Sequence, residues 1–218
     1  MKRYRLLLLI VILVFPAVAC KFATQVTDRL SNSGDAIFRD DFSKPYSGWL
    51  RGTDLPNGGI SDYADGKFRI LVNEPNFDYW SNPNLLFENT RIEVDAVKQA
   101  GPEINRYGLI CRYQDEKNFY FFIISSDGYY GLGKIKDDQL SLIGMDAMLP
   151  SNVVLAGSGL NHLRADCVDD ELTFFVNGQQ VAQAKDSDFS SGDVGMLVGT
   201  FDEPGVDVTF DNFVVVKP

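Results

Sequence analysis

The chain is short of the groups on which most enzyme chemistry is built. It has one histidine, His162, in 218 residues. A serine triad would have to be assembled around that imidazole, and no Gly-x-Ser-x-Gly elbow is there to hold the nucleophile. Zinc needs clustered histidine or cysteine ligands, and one histidine with three cysteines does not supply them. Positive charge is scarce too: 20 Lys and Arg against 30 Asp and Glu give a formal net charge of −10. No basic cluster follows the first residues, so phosphate neutralisation cannot supply affinity and nucleic acid is not an expected partner. The longest apolar run, at Leu6 to Phe15, is too short to cross a bilayer as a helix. No segment keeps a 3.6-residue apolar period over a helix length.

What is present begins with that run. Lys2, Arg3 and Arg5 precede it and small residues follow it, which is the form of a secretory signal peptide over residues 1–19. Ala17-Val18-Ala19-Cys20 resembles the lipobox of bacterial lipoproteins, which implies cleavage before Cys20 and lipid on its sulfur. Losing three cations takes the charge from −10 to −13. The expected partner is then a membrane, reached through the N-terminal lipid from the extracytoplasmic side. Residues 20–35 are polar and aperiodic and read as a flexible tether with a mean end separation of about 20 Å. One domain is expected over residues 36–218. In an oxidising compartment the remaining pair, Cys111 and Cys167, is predicted to form a disulfide, since both lie on inward-looking strand faces.

Short runs rich in aromatic and β-branched residues recur through the domain, broken by Asp65-Gly66, Asp127-Gly128 and Asn177-Gly178. The segment from Tyr107 to Ile135 reads as three consecutive strands. In Arg91 to Ala96 the apolar and charged residues alternate, so one face is core and the other wet. Phe119 to Ile124 is apolar on both faces, which predicts a central strand or one whose second face lines a groove. The fold class is all-β, a two-sheet antiparallel sandwich.

Several short motifs carry a family resemblance: Asp40-Asp41-Phe42, Ser47-Gly48-Trp49, Tyr63-Ala-Asp-Gly66, Cys111-Arg-Tyr113, Asn118-Phe-Tyr120, Leu172 to Gly178, and Phe210-Asp-Asn-Phe213. In order and spacing the chain resembles the concanavalin A-like, laminin G-type jelly rolls. It is most similar there to the 3-keto-disaccharide hydrolase-like domains of bacterial surface lipoproteins. The resemblance implies two curved sheets, the concave one often holding a carbohydrate site.

Jelly-roll glycosidases of the laminarinase type carry a Glu-x-Asp-x-x-Glu strand. Here the matching stretch is Glu93-x-Asp95 with Lys98 in place of the second glutamate. Retaining hydrolysis needs two carboxyl groups about 5 Å apart, so no catalytic residue is assigned. Glu93 and Asp95 read as wet strand positions, and His162 as a solvated strand residue beside Arg164 and Asp166. Gly131-Leu-Gly133 does not complete a dinucleotide fingerprint and implies no nucleotide cofactor. A structural calcium could sit where Asp40, Asp41 and Asp211 meet.

Sugar recognition uses aromatic rings bordered by planar polar groups. The candidates are Arg112, opposite in parity to Cys111, with Tyr120, Tyr129, Tyr130, and Trp80 in a polar loop around Asn76 to Asn84. The expected function is a lipid-anchored, non-catalytic sandwich that binds glycan or another surface ligand. The alternatives are a hydrolase acting on modified disaccharides and a protein-binding adhesion or scaffold module.

Overall fold

The computed structural model describes residues 36–218; the signal peptide, Cys20 and the tether lie outside them. Within them the chain runs through β1 (Ala36–Asp40), β2 (Gly52–Leu55), β3 (Gly59–Ala64), β4 (Lys67–Val72), β5 (Asp78–Ser81), β6 (Thr90–Ala100), β7 (Asn105–Asp115) and β8 (Asn118–Ser125). It continues through β9 (Tyr129–Lys136), β10 (Gln139–Leu142), β11 (Leu149–Pro150), β12 (Asn161–Val168), β13 (Glu171–Val176), β14 (Gln179–Lys185), β15 (Asp193–Thr200) and β16 (Val206–Val216). Sheet A has nine strands in the order β14-β13-β12-β6-β16-β4-β3-β2, with β1 also on β16. Sheet B has seven, in the order β10-β9-β8-β7-β15-β5, with β11 on β9. Every pairing is antiparallel, so the all-β sandwich read from periodicity is the observed architecture.

The hairpins follow from turn chemistry. Asn177 and Gly178 have φ of 51° and 81°, and Asp65 and Gly66 have 52° and 74°. Two successive positive φ values match the right-handed twist of the flanking strands, which is why Asn-Gly and Asp-Gly occupy these corners. The core forms from one face of each sheet. Ile92, Val94 and Ala96 of β6 and Leu163 and Ala165 of β12 are fully buried against Leu109, Phe122, Ile124 and Met196 of sheet B.

Cys111 and Cys167 form the expected disulfide across this core, with Cα atoms 6.8 Å apart. Four of the motifs that carry the family resemblance, those with Asp40 to Phe42, Trp49, Tyr63 and Phe213, meet at one corner. Trp49 packs edge-on to Phe213 at 4.8 Å and to Phe42 at 5.4 Å, and its Nε1 donates to buried Asp40 at 2.8 Å. Asp40, Phe42, Trp49 and Phe213 therefore hold this corner of the sandwich closed.

Three strands were not legible. β5 was read as part of a polar loop, and β2 and β11 fall outside every run that the sequence marks as a strand. Each is two to four residues long at or near a sheet edge, among Asn, Pro and Gly. Edge strands of that length carry too few positions to show a period.

Candidate functional site

The face of sheet B turned away from the sandwich core is apolar, unlike the charged outer face of sheet A. Register builds it in rows. Trp80 lies opposite Leu197, followed by Gly108, Ile123 and Gly131. The next row runs Gly195, Ile110, Phe121, Gly133 and Leu142. Ile110, Phe119, Phe121, Ile123 and Leu197 form a second apolar cluster, separate from the main core, with Trp80, Tyr113, Ile135, Leu142 and Met148 partly buried over it. β8 is thus central and apolar on both faces, as its sequence predicts.

Glycine shapes this face. A Cβ at Gly133 would stand 2.4 Å from the Phe121 ring, so that ring lies flat across β9 only because the position is bare. At Gly199 a Cβ would meet both Asp78 and Arg106, whose carboxylate and guanidinium bond across it at 2.6 and 3.1 Å. Phe201 stacks on that guanidinium at 4.6 Å.

At the other end of the face Trp80, Tyr113 and Phe119 form an aromatic trio. Their ring centroids are 5.6 Å (Trp80 to Phe119), 5.5 Å (Tyr113 to Phe119) and 6.4 Å (Trp80 to Tyr113) apart. Trp80 Nε1 donates to the Tyr113 hydroxyl at 3.4 Å, and both rings remain partly exposed. Asp193 lies opposite Tyr113 in the ladder, and burial raises its carboxyl pKa against the pull of the main-chain N–H groups of Val194, Leu85 and Asn84.

The structure separates the residues that sequence grouped. Arg112 is not on a free face: it is 2% exposed, with φ of 53°, inside the irregularity where β7 slips register between Cys111 and Asp115. A bulged residue breaks the period-two parity that placed it opposite Cys111. Its guanidinium donates to the carbonyls of Asp169 at 2.7 Å and Phe189 at 2.8 Å, and to Asn89 Oδ1 at 3.3 Å. Tyr120 pairs with Cys111, so it faces the core; its ring is fully buried and its hydroxyl donates to Asp186 at 2.6 Å. Tyr130 packs against the main core, whereas Tyr129 is 38% exposed. Trp80 stands on the edge strand β5 rather than in a loop. Sequence missed Tyr113, Phe119 and the Asp78–Arg106 pair, although the two-faced apolarity of β8 pointed to Phe119.

On the outer face of sheet A, His162 sits between Asp95 at 2.8 Å and Glu93 at 3.4 Å. It is an ion-paired residue, not a freely solvated one. Hydrogen bonds that it donates to Asp95 first and then to Glu93 raise its pKa to about 9. Burial opposes ionisation of Asp95, but its bonds with His162 and Asn212 lower its pKa overall. Lys98 points to the opposite side of β6, is 4% exposed and binds Glu103 at 2.6 Å. It never shared a face with Glu93 and Asp95. Of the calcium candidates, Asp211 binds Lys67 at 2.8 Å and Asp41 binds Ser43 at 2.6 Å. Among the described residues no group of three or more His, Cys, Asp or Glu side chains is arranged to hold a metal ion.

Solved structures share this fold. The carbohydrate binding module CBM66 from Bacillus subtilis superposes with a TM-score of 0.60 at 19% identity, covering 78% of this chain and 96% of that one. A β-glucanase from Bacillus licheniformis gives 0.61 at 12% identity, over 85% and 100%. A protein with a galectin-like fold from Bacillus subtilis gives 0.60 at 12%, over 85% and 99%. The fold is a concanavalin A-like jelly roll. No protein-family model matches the chain, and no curated protein matches it. At these identities the jelly roll is what the likeness establishes, and a shared fold does not assign a function.

Proposed function

We propose that this jelly roll binds carbohydrate on the free face of sheet B without a catalytic step. In this reading the mature chain is held by lipid on Cys20 at the outer face of a bacterial membrane. The supporting observation is the aromatic pair Trp80 and Tyr113, partly exposed and packed over buried Phe119 on a face that the sandwich core does not use. Aromatic rings stack on the apolar faces of pyranoses, and polar side chains at the border fix orientation. Arg106 and Asp78 supply such a border. Glu93 and Asp95, the carboxylates of the stretch that matches the laminarinase pattern, lie on the other sheet and are engaged by His162.

A glycan array of wall and plant polysaccharides tests the reading. Trp80→Ala and Tyr113→Ala are expected to weaken binding about tenfold each, the equivalent of roughly 1.4 kcal/mol, with little change in melting. Silence across every glycan class, or full binding by both variants, overturns it. Fatty-acid labelling of producing cells tests the anchor: label on the wild type and none on Cys20→Ser supports it, and an unlabelled wild type removes it.

A further inference from the structure

Beside the aromatic trio, the edges of the two sheets part. The cleft between them has a volume of about 240 Å³ and is walled by Leu50, Leu55, Phe77, Tyr79 and Trp80. Ser61 of β3 and Gly52 of β2, paired in register, line its sheet A side, and β5 lines the other. We propose that this cleft receives the apolar end of the ligand, an aryl or short acyl group carrying one hydrogen-bonding atom. Its sugar lies across Trp80 on the sheet B face. That this group belongs to a glycoconjugate rests on the carbohydrate reading above; the cleft as an apolar site does not.

Four observations carry the inference. First, Ser61 is 3% exposed and its Oγ has no hydrogen-bond partner among the described residues, although it lines the cleft. A buried hydroxyl left unpaired is destabilising, and a ligand atom within reach would satisfy it. Second, the cleft is large enough, since a dry cavity of about 150 Å³ already takes a benzene ring. Third, the charges at its rim are matched. Arg51 binds Asp62 at 2.5 and 2.9 Å, and Asp78 binds Arg106, so a neutral group is favoured over an ion. Fourth, Trp80 belongs to both places, lining the cleft and packing with Tyr113 and Phe119.

The mouth is apolar and its wall is fixed. Leu50 and Phe77 are 55% and 40% exposed, and the main chain of Leu50 is tied to this edge by Asn82 O at 3.0 Å and Ser81 Oγ at 2.7 Å.

The test is titration of tryptophan emission in the full chain. Its two tryptophans are Trp49, in the core, and Trp80. The probes are 4-nitroanisole, which has no sugar, and matched 4-nitrophenyl and methyl glycosides of glucose, galactose and N-acetylglucosamine. The nitrophenyl glycosides are expected to bind more tightly than the methyl ones, and 4-nitroanisole to quench the emission by itself. Ser61→Ala is expected to weaken the aryl probes about five- to tenfold. It should leave melting unchanged or slightly raised, because that hydroxyl has no hydrogen-bond partner among the described residues. Leu50→Phe, which narrows the mouth from an exposed position, gives the same loss and serves if Ser61→Ala misfolds. Neither variant should alter methyl glycoside binding.

If the nitrophenyl and methyl glycosides bind equally and neither variant discriminates, the cleft inference fails while the sugar reading stands. If 4-nitroanisole binds, responds to both variants, and no sugar adds affinity, the carbohydrate reading falls and the apolar cleft remains. If no probe binds, the inference is overturned.

Discussion

Replacing Arg112 separates a structural residue from a ligand residue. In the folded domain its guanidinium makes two short hydrogen bonds to main-chain carbonyls, those of Asp169 and Phe189, at 2.7 and 2.8 Å. Those carbonyls end different connections, so the side chain ties the loop after β12 and the loop before β15 to β7. A hydrogen bond to a charged group contributes about 1.5–3 kcal/mol, so Arg112→Met removes roughly 3–6 kcal/mol of bonding. Part of that is offset. The guanidinium is buried with its Nε unpartnered, burial lowers its pKa, and removing such a cation from the interior relieves desolvation. A net loss of about 3 kcal/mol is expected, and a domain of this size shifts by about 2–4 °C per kcal/mol, giving a fall of roughly 6–12 °C. Arg112→Lys should recover little, because one ammonium cannot reach all three acceptors. The assay is thermal unfolding by near-ultraviolet circular dichroism, with glycan binding measured at 20 °C where the variant is still folded. Melting within 2 °C of wild type together with abolished binding would refute the structural assignment and return Arg112 to the ligand site.

Reducing or deleting the Cys111–Cys167 bridge releases a loop with a sequence separation of 56. The chain-entropy relation gives about 4 kcal/mol for it, so Cys111→Ala with Cys167→Ala should lower melting by about 8–16 °C; an unchanged transition would refute that magnitude. His162 sets a pH window. Its folded pKa of about 9 stands above the unfolded 6.5, so its contribution is complete below pH 6.5 and is lost as pH rises through 9. The shift corresponds to roughly 3–4 kcal/mol. Urea midpoints should therefore fall over that range in the wild type and stay level in His162→Gln, and parallel curves would remove the claim. Because Asp211 is engaged by Lys67 and Asp41 by Ser43, melting should not respond to a chelator; a fall of several degrees would restore a structural calcium.

The fold was legible because its signals are local and repeated. Alternation in Arg91 to Ala96, the Asn177-Gly178 corner and the two-faced apolarity of Phe119 to Ile124 each need only neighbours in sequence to be read. The candidate site was not, because parity fails wherever the backbone slips. At Arg112 one residue in the left-handed region turns a side chain inward that strict alternation sends out. Tyr120 was misplaced for a related reason: its face depends on its register with Cys111, which sequence does not state. Trp80 was found as a candidate but without its setting. β5 contributes only four residues, and the partners of Trp80 come from β7 and β8, more than thirty positions away.

The two outer faces of this sandwich obey different rules, and that difference argues for a ligand more strongly than any single residue does. Sheet A turns outward a ladder of matched charges: Glu93 and Asp95 with His162, Arg91 and Arg164 with Asp166, Arg69 with Asp207. That is how a sandwich face is finished when water is its only neighbour. Sheet B instead turns out Ile110, Phe119, Phe121, Ile123 and Leu197, roofed only in part by Met148 and Leu142 from the β10–β11 region, and ends at Trp80 and Tyr113. Phe121 keeps its place only because Gly133 is bare, and the same face carries an ion pair laid over Gly199. Trp80 and Tyr113 cover that apolar cluster and still leave part of each ring open to solvent, where sheet A places matched charges. Trp80→Lys and Tyr113→Glu should accordingly leave the domain folded at 20 °C, at a smaller cost than a core truncation, while abolishing ligand binding. A large loss of stability in both would assign the aromatic trio to the architecture and leave sheet B without a site.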